Sequence, residues 1–434
     1  MIIIQNLKDT RLLALLGLLL PLVLFTGCNK EDTLPPAVSI SAPMANSQFL
    51  AGTKVDVTGV ASDNEEVVSI GVILQDPRTN QIVGSATTEP DANGRFSLDI
   101  VLGDRYTTTG DYLLRATAYD AAGNPSSDFV SLYLEEIPTV YYKTVFGARQ
   151  GGQSRLFTID SLQQIVPGPF VGNDLAFLYV DNRAQQIAYG PASGPLVVAR
   201  SDDFDTHWEM NPAPGPAVPA ITAFAAQERN YFLGQSNAPY IQSFSAAGAT
   251  QAAFSDAQYP PQSLVANSEG LFAGLSSPDH SVNKVDRYDA ETGALEFSRT
   301  LTWIPEYLVA IGTDYLAVAG RDVANSGKFA LLDQDDLVIV DEMTLPEVVW
   351  GLDGHGDNAF VLSAAGLQTY VSSIHTMGGA NFNQGYTASA YEPVSGRFFL
   401  GKNGQVEAFL NLGQDASYQG GFDEVTHIVH HHNK

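Results

Sequence analysis

A single thiol, a histidine-rich end and a set of hard oxygen donors are the groups of this 434-residue chain whose types and spacing could do chemistry. Cys28 is the only cysteine, so no disulfide forms within the chain. Its thiol is a packed group, a nucleophile or an attachment point. Asp63, Asn64, Glu65, Asp120 and Asn124 offer carboxylate and amide oxygens of the kind that hold Ca²⁺, provided the fold gathers them. Turn capping by Asx side chains is the competing use, and no EF-hand spacing accompanies them. His427, His430, His431 and His432 carry imidazoles, the commonest transition-metal ligands. Chain ends fray, so the expectation here is a mobile or solvent-facing tail, with His427 and His431 as the metal candidates. Asp202, Asp203 and Asp205, and the pair Asp335-Asp336, fall in expected turns. Gly351-x-x-Gly354-His355-Gly356 has neither the spacing nor the following helix of a dinucleotide loop and reads as a turn. No nucleophile elbow with a Ser/His/Asp order is visible.

The elements that must position these groups are strands. Charged residues make up only 16% of the chain, while Gly, Ser, Thr, Ala, Asn and aromatics abound. That is the composition of many short strands joined by tight turns. Length alone implies two or three domains. The balance of 22 basic and 48 acidic residues gives a net charge of −26. Removing a leader with Lys8, Arg11 and Asp9 leaves 20 basic and 47 acidic residues, net −27. Such a surface repels phosphate backbones and anionic lipid, which excludes nucleic acid as a partner.

Residues 1–27 read as a signal segment. Lys8 and Arg11 precede an apolar run from Leu12 to Phe25, too short for the roughly 20 residues of a membrane-spanning helix. The run ends in Leu24-Phe25-Thr26-Gly27-Cys28, which resembles the lipobox of bacterial lipoproteins, with Phe25 where Leu is commonest. The resemblance implies cleavage before Cys28, a diacylglycerol thioether on its sulfur and a further acyl chain on its amine, an anchor of the durable two-signal kind. Lys30-Glu31-Asp32, behind Asn29, resembles the export signal of Bacteroidota surface lipoproteins. It implies an outer-membrane protein facing the cell exterior. Thr33-Leu34-Pro35-Pro36 then forms a short semi-rigid spacer, so residues 28–35 are the anchor and linker.

Residues 36–136 alternate with the period of half-buried strands. Val68, Ile70, Val72 and Leu74 share one face. So do Phe96, Leu98, Ile100 and Leu102, and Tyr112, Leu114, Ala116 and Ala118. Turn signals at Asp76-Pro77, Asp91-Ala92-Asn93-Gly94 and Ala122-Gly123-Asn124-Pro125 separate about seven strands, which suits an immunoglobulin-like sandwich. Gly110-x-Tyr112-x-Leu114-x-Ala116-x-Ala118-x-Asp120-x-x-Gly123-Asn124 resembles the last strands of bacterial Ig-like domains. Tyr112 stands where a tyrosine corner would, and Leu114 replaces the antibody cysteine.

Residues 138–434 carry an internal repeat: an apolar strand, a polar turn, then an apolar strand ending in Gly. It closes at Gly190, Gly234, Gly274, Gly320, Ser363 in place of glycine, and Gly401, with spacings of 44, 40, 46, 43 and 38 residues. That is the period of a four-stranded propeller blade. Val285–Thr300 and Phe329–Asp341 resemble the outer hairpins of PQQ-like and YVTN-type propellers, a WD40-like architecture. Ser201-x-Asp203-x-Asp205-x-His207-Trp208 resembles the Asp-box of sialidase-type propellers, which stabilises a hairpin. Tyr141–Gly147 reads as a second strand with no first strand before it, and Val425–Val429 as a strand with nothing after it. Joining the two gives a closed seven-bladed ring with no open edge, with six or eight blades as the alternatives, and His427 could then face its channel.

The expected fold is all-β: an Ig-like sandwich followed by a seven-bladed β-propeller. The expected function is a non-enzymatic surface module binding a protein partner or an extracellular glycan, with Tyr240, Tyr259, Trp303, Trp350 and Tyr418 as candidate contacts. The alternative is an extracytoplasmic propeller hydrolase or lyase with its site at the mouth of the channel.

Overall fold

The computed structural model describes residues 32–433 except 216–218, 228–229, 380–381, 383–384 and 412. Cys28, Lys30 and Glu31 lie outside the described residues. The chain divides into two compact units, one ending at Pro138 and one beginning at Thr139. Among the described residues no helix is long and apolar enough to cross a membrane.

The first unit is a sandwich of a three-stranded and a five-stranded sheet. Ala37–Ala42, Lys54–Ser62 and Arg95–Val101 form the smaller sheet; Ser47–Leu50, Pro125–Glu135, Gly110–Asp120, Val67–Gln75 and Ile82–Thr88 form the larger one. Period-2 alternation sends Ile70, Val72, Leu74, Leu114, Ala116 and Ala118 into a fully buried core. Each large side chain buried there contributes about 1.5–3 kcal/mol. Val68 breaks the expected pattern and is 40% exposed. A bulge between Val67 and Ser69 shifts the register against Asp120 and Tyr119 and turns Val68 outward. The tyrosine corner is present: Tyr112 donates its hydroxyl to the Thr108 carbonyl at 2.9 Å.

The second unit contains seven four-stranded antiparallel sheets, the blades of a propeller. Six are continuous in sequence. In the remaining one, Val425–His432 pairs with Tyr141–Gln150, which is followed by Gln153–Ile159 and Ile165–Gly172. The last strand thus supplies the innermost strand of the first blade. It touches Leu175–Asp181 on one side and Ala388–Glu392 on the other, which closes the ring of inner strands. The second strands of the blades are deeply buried in their middles, and Gly270–Ser276 is buried throughout.

The recurring glycines have a steric cause. A Cβ on Gly234 would lie 2.5 Å from the Pro261 ring, and one on Gly274 2.7 Å from the Pro305 carbonyl oxygen, where the next inner strand begins. Gly147 abuts Leu175 and Gly401 abuts Val425 in the same manner. At these four positions adjacent blades approach too closely for a side chain, whereas Gly190 and Gly320 are crowded by strands of their own blades. Gly351 and Gly354 lie within the inner strand Val349–His355 and not in a turn; the turn begins at Gly356. At Gly354 a Cβ would come within 2.9 Å of Val309 on the preceding inner strand.

Candidate functional site

In the first unit, carboxylate oxygens of Asp32, Asp63 and Asp120 lie within 4.8 Å of one another. Strand ends and turns deliver them: Asp32 precedes the first strand, Asp63 follows Lys54–Ser62, and Asp120 ends Gly110–Asp120. Their charge is met by amide donors. Asn64 donates to the Asp32 carboxylate at 3.0 Å. Asn124 donates to the Asp32 carbonyl at 2.9 Å and to the Asp120 carboxylate at 2.7 Å. These three carboxylates are the ones that would hold a Ca²⁺. Both asparagines turn their NH₂ ends toward the cluster, so their carbonyls add no ligands to the three acids. Glu65 directs only its backbone N–H to Asp63, at 3.1 Å.

The C-terminal histidines are not a mobile tail. Val425–His432 is the ring-closing inner strand, and His431 and His432 are 4% and 6% exposed. His432 Nε2 meets Glu392 Oε1 at 2.7 Å, and its backbone N–H donates to Asn182 Oδ1 at 2.8 Å. His431 Nε2 sits 3.0 Å from both Ser201 Oγ and Gln185 Oε1. His430 Nδ1 lies 3.0 Å from Thr144 Oγ1, which Tyr141 Oη also reaches at 2.8 Å. Among the described residues the buried Nδ1 of His431 has no hydrogen-bond partner, and His430 has only the Ala390 backbone besides Thr144. Burial drives the pKa of His427, His430 and His431 down to about 4, because a low-dielectric site disfavours the cation. His427 and His431 therefore hold the closing strand as neutral rings. They share no cluster with a third His, Cys, Asp or Glu among the described residues.

Beside this strand, the seam between the first and last blades opens as a cavity of about 260 Å³. Its wall from the first blade is Tyr141, Ile159 and the turn Asp160–Gln163; its wall from the last blade is Arg397, Phe399, Asp415 and Tyr418. Tyr141 stacks obliquely on Phe399, with centroids 6.4 Å apart. Its neighbour Tyr142 also borders the cavity but turns its ring to the opposite face, edge-on to His431 at 5.4 Å. Burial pushes Tyr141 up to about 12 and raises Tyr418 as well. Arg397 donates Nε to Asp415 Oδ2 at 2.7 Å, both side chains being about one-third exposed. Gln163 adopts φ 61° at the rim, a left-handed conformation uncommon for a residue with a Cβ.

The comparisons bear on the two units separately. Residues 36–116 match the family model of a bacterial Ig domain. No curated protein sequence matches the chain. Among solved structures, that of U3-55K is similar over 67% of this chain and 94% of its own, at 9% identity and a TM-score of 0.50. The Pan2 WD40 domain of Neurospora crassa covers 58% of this chain and 82% of its own, at 12% identity and TM-score 0.48. Apo AztD from Citrobacter koseri covers 67% and 99%, at 10% identity and TM-score 0.46. At these identities the likeness concerns fold alone: a WD40-like propeller follows the Ig domain.

Of the aromatics named from sequence, Tyr418 alone borders the cavity, and it does so from the outer strand Gly413–Gln419. Trp303 is 1% exposed, with its indole N–H on Glu342 at 2.7 Å. Tyr240 and Tyr259 pack against the blade core. Trp350 lies within an inner strand, 40% exposed. The run Asp202–Asp205 is a hairpin turn, where Arg200 clamps Asp202 at 2.7 Å and holds its pKa at about 2. Tyr141, Arg397, Phe399 and Asp415 carried no local signal, because the two walls come from opposite ends of the propeller sequence.

Proposed function

We propose that this chain is an outer-membrane lipoprotein, anchored through Cys28 and carried outward by Lys30-Glu31-Asp32. It displays its propeller as a non-enzymatic binding or scaffold module for a protein partner or an extracellular glycan. The observation that carries the binding role is the seam cavity, which Tyr141 and Tyr418 line together with an Arg397–Asp415 ion pair joined through Nε and Oδ2 alone. Concave sites of this composition, mostly apolar with a few placed polar groups, are the usual form of a ligand site. The strongly acidic surface fits solubility in a crowded exterior.

Two experiments test this reading. Protease shaving of intact cells is expected to remove the propeller; protection would sink the surface placement. A pull-down from outer membranes with the anchored protein, run beside a glycan array, is expected to return one specific partner. Failure of both arms would defeat the binding role.

A propeller hydrolase or lyase is the second reading. It would draw on the inner strands, where burial raises the Asp353 carboxyl and lowers His427 and His430. Turnover of an ester, lactone or glycoside panel that vanishes in Asp353→Asn would favour it over the binding module.

A further inference from the structure

We propose that the seam cavity is a subsite for one neutral sugar ring, held between the Tyr141 and Tyr418 faces and fixed by the Arg397–Asp415 pair. The inference rests on the binding-module reading and adds its ligand class.

Size is the first argument. A cavity of about 260 Å³ falls just below the range for drug-sized ligands, which suits a single ring and not a folded segment. Lining is the second. Ile159 and Phe399 line it as buried apolar side chains, and Tyr141 and Tyr418 line it half-buried. Tyrosine offers a flat apolar face with a polar tip, which matches a molecule whose faces carry C–H groups and whose edge carries hydroxyls.

The polar groups decide the charge of the ligand. Arg397 uses only Nε toward Asp415 Oδ2, so its two terminal nitrogens and Asp415 Oδ1 remain available side by side. A donor next to an acceptor is what two adjacent hydroxyls require, since each hydroxyl both gives and takes a hydrogen bond. Asp160, which lines the cavity, commits Oδ1 to the N–H groups of Leu162 and Gln164, at 2.9 and 2.8 Å, which leaves Oδ2 outside those two bonds. The carboxylates of Asp160 and Asp415, within a chain of net charge −26, repel an anionic ligand. The Arg397 guanidinium opposes a quaternary ammonium that the tyrosines alone would welcome. A neutral polyhydroxyl compound satisfies all of these groups at once.

The test is saturation-transfer NMR on the full chain in detergent, with D-glucose, D-galactose, D-mannose and N-acetyl-D-glucosamine as probes, and D-glucuronate and choline as charged controls. At least one neutral sugar is expected to bind. Tyr418→Ala and Asp415→Asn are each expected to weaken it about tenfold, equivalent to ~1.4 kcal/mol. Tyr418→Phe, which keeps the ring, is expected to restore it, and Val323→Ala, at an exposed position outside the cavity lining, to leave it unchanged. Asp415 lies at the exposed rim, so its variant keeps the test valid if Tyr418→Ala disturbs the blade. The inference is overturned if none of the four sugars binds, if glucuronate or choline binds instead, or if sugar binding persists in both cavity variants. A partner still captured from outer membranes by Tyr418→Ala and Asp415→Asn proteins would leave the binding-module reading standing and refute only this site. Loss of such a partner without any sugar binding would keep the site and refute the sugar.

Discussion

Lowering the pH from about 8 to about 5 is expected to loosen the propeller through its closing strand. His427, His430 and His431 have folded pKa values near 4 against an ordinary 6.5. The unfolded chain therefore takes up protons that the folded ring refuses, and stability falls as pH drops through 6.5 and levels off below 4. For His431, 4% exposed, the difference at pH 5 is about 2 kcal/mol. Half-buried His427 and His430, each counted at half weight for solvent screening, bring the sum to about 4 kcal/mol. The cause is visible in the bonding: a proton added to His431 Nδ1 would find no acceptor among the described residues, while the Ala390 backbone offsets part of the cost at His430. Glu392 partly offsets the cost at His430 and Asp202 at His431, while Lys143 and His432 add to the cost at His431. Asp353, whose carboxyl is raised, works in the opposite sense, because a folded acid that holds its proton gains stability as pH falls. Thermal melts at about pH 8, 6 and 5 read the balance, with an expected fall of about 10 °C in Tm. His431→Gln keeps a polar contact for Ser201 and Gln185 and is expected to remove about half of that fall. A Tm that is flat over this range, or a slope unchanged in His431→Gln, would refute the reasoning.

Ending the chain at Glu424 is expected to abolish cooperative unfolding of the propeller, since it strips Val425 and Ile428 from the core and leaves Tyr141–Gln150 as an open edge; limited proteolysis and calorimetry would show it. Gly401→Ala forces a methyl onto Val425 and is expected to cost about 1–3 kcal/mol in a urea melt. Tyr112→Phe deletes the hydrogen bond to Thr108 and is expected to destabilise the Ig domain by about 0.5–1.5 kcal/mol, read by hydrogen exchange on its strands. Cys28→Ala is expected to release the protein from the membrane fraction or leave its leader uncut, and unchanged retention would defeat the lipid anchor.

Architecture was legible in the sequence where a local rule has a steric cause. The closing glycines recur because neighbouring blades leave no room for a Cβ at Gly234, Gly274 and Gly401. The pairing of Val425–Val429 with Tyr141–Gly147 was legible because each strand lacked a local partner. Val68 was misplaced because a bulge reverses the alternation without changing residue types. The histidines were misjudged because chain ends normally fray, whereas here the end is an interior strand. Asp63 and Asp120 were named and do converge, together with Asp32. The seam cavity was illegible because residues 141–163 and 397–418 meet only through ring closure.

Ring closure also sets where the propeller can be opened or extended. Asn433 donates its backbone N–H to the Val140 carbonyl at 3.0 Å and takes the Val140 N–H on its side chain at 2.7 Å. The two ends of the ring are thus already neighbours. A short linker could join them, and new termini could be cut in a turn between blades, giving a circular permutant whose seam is an ordinary covalent blade. Thr144 and His430, hydrogen-bonded yet 286 residues apart in sequence, meet only after every other blade has been made. Ring closure therefore needs the strands from both ends of the propeller sequence to be in place together.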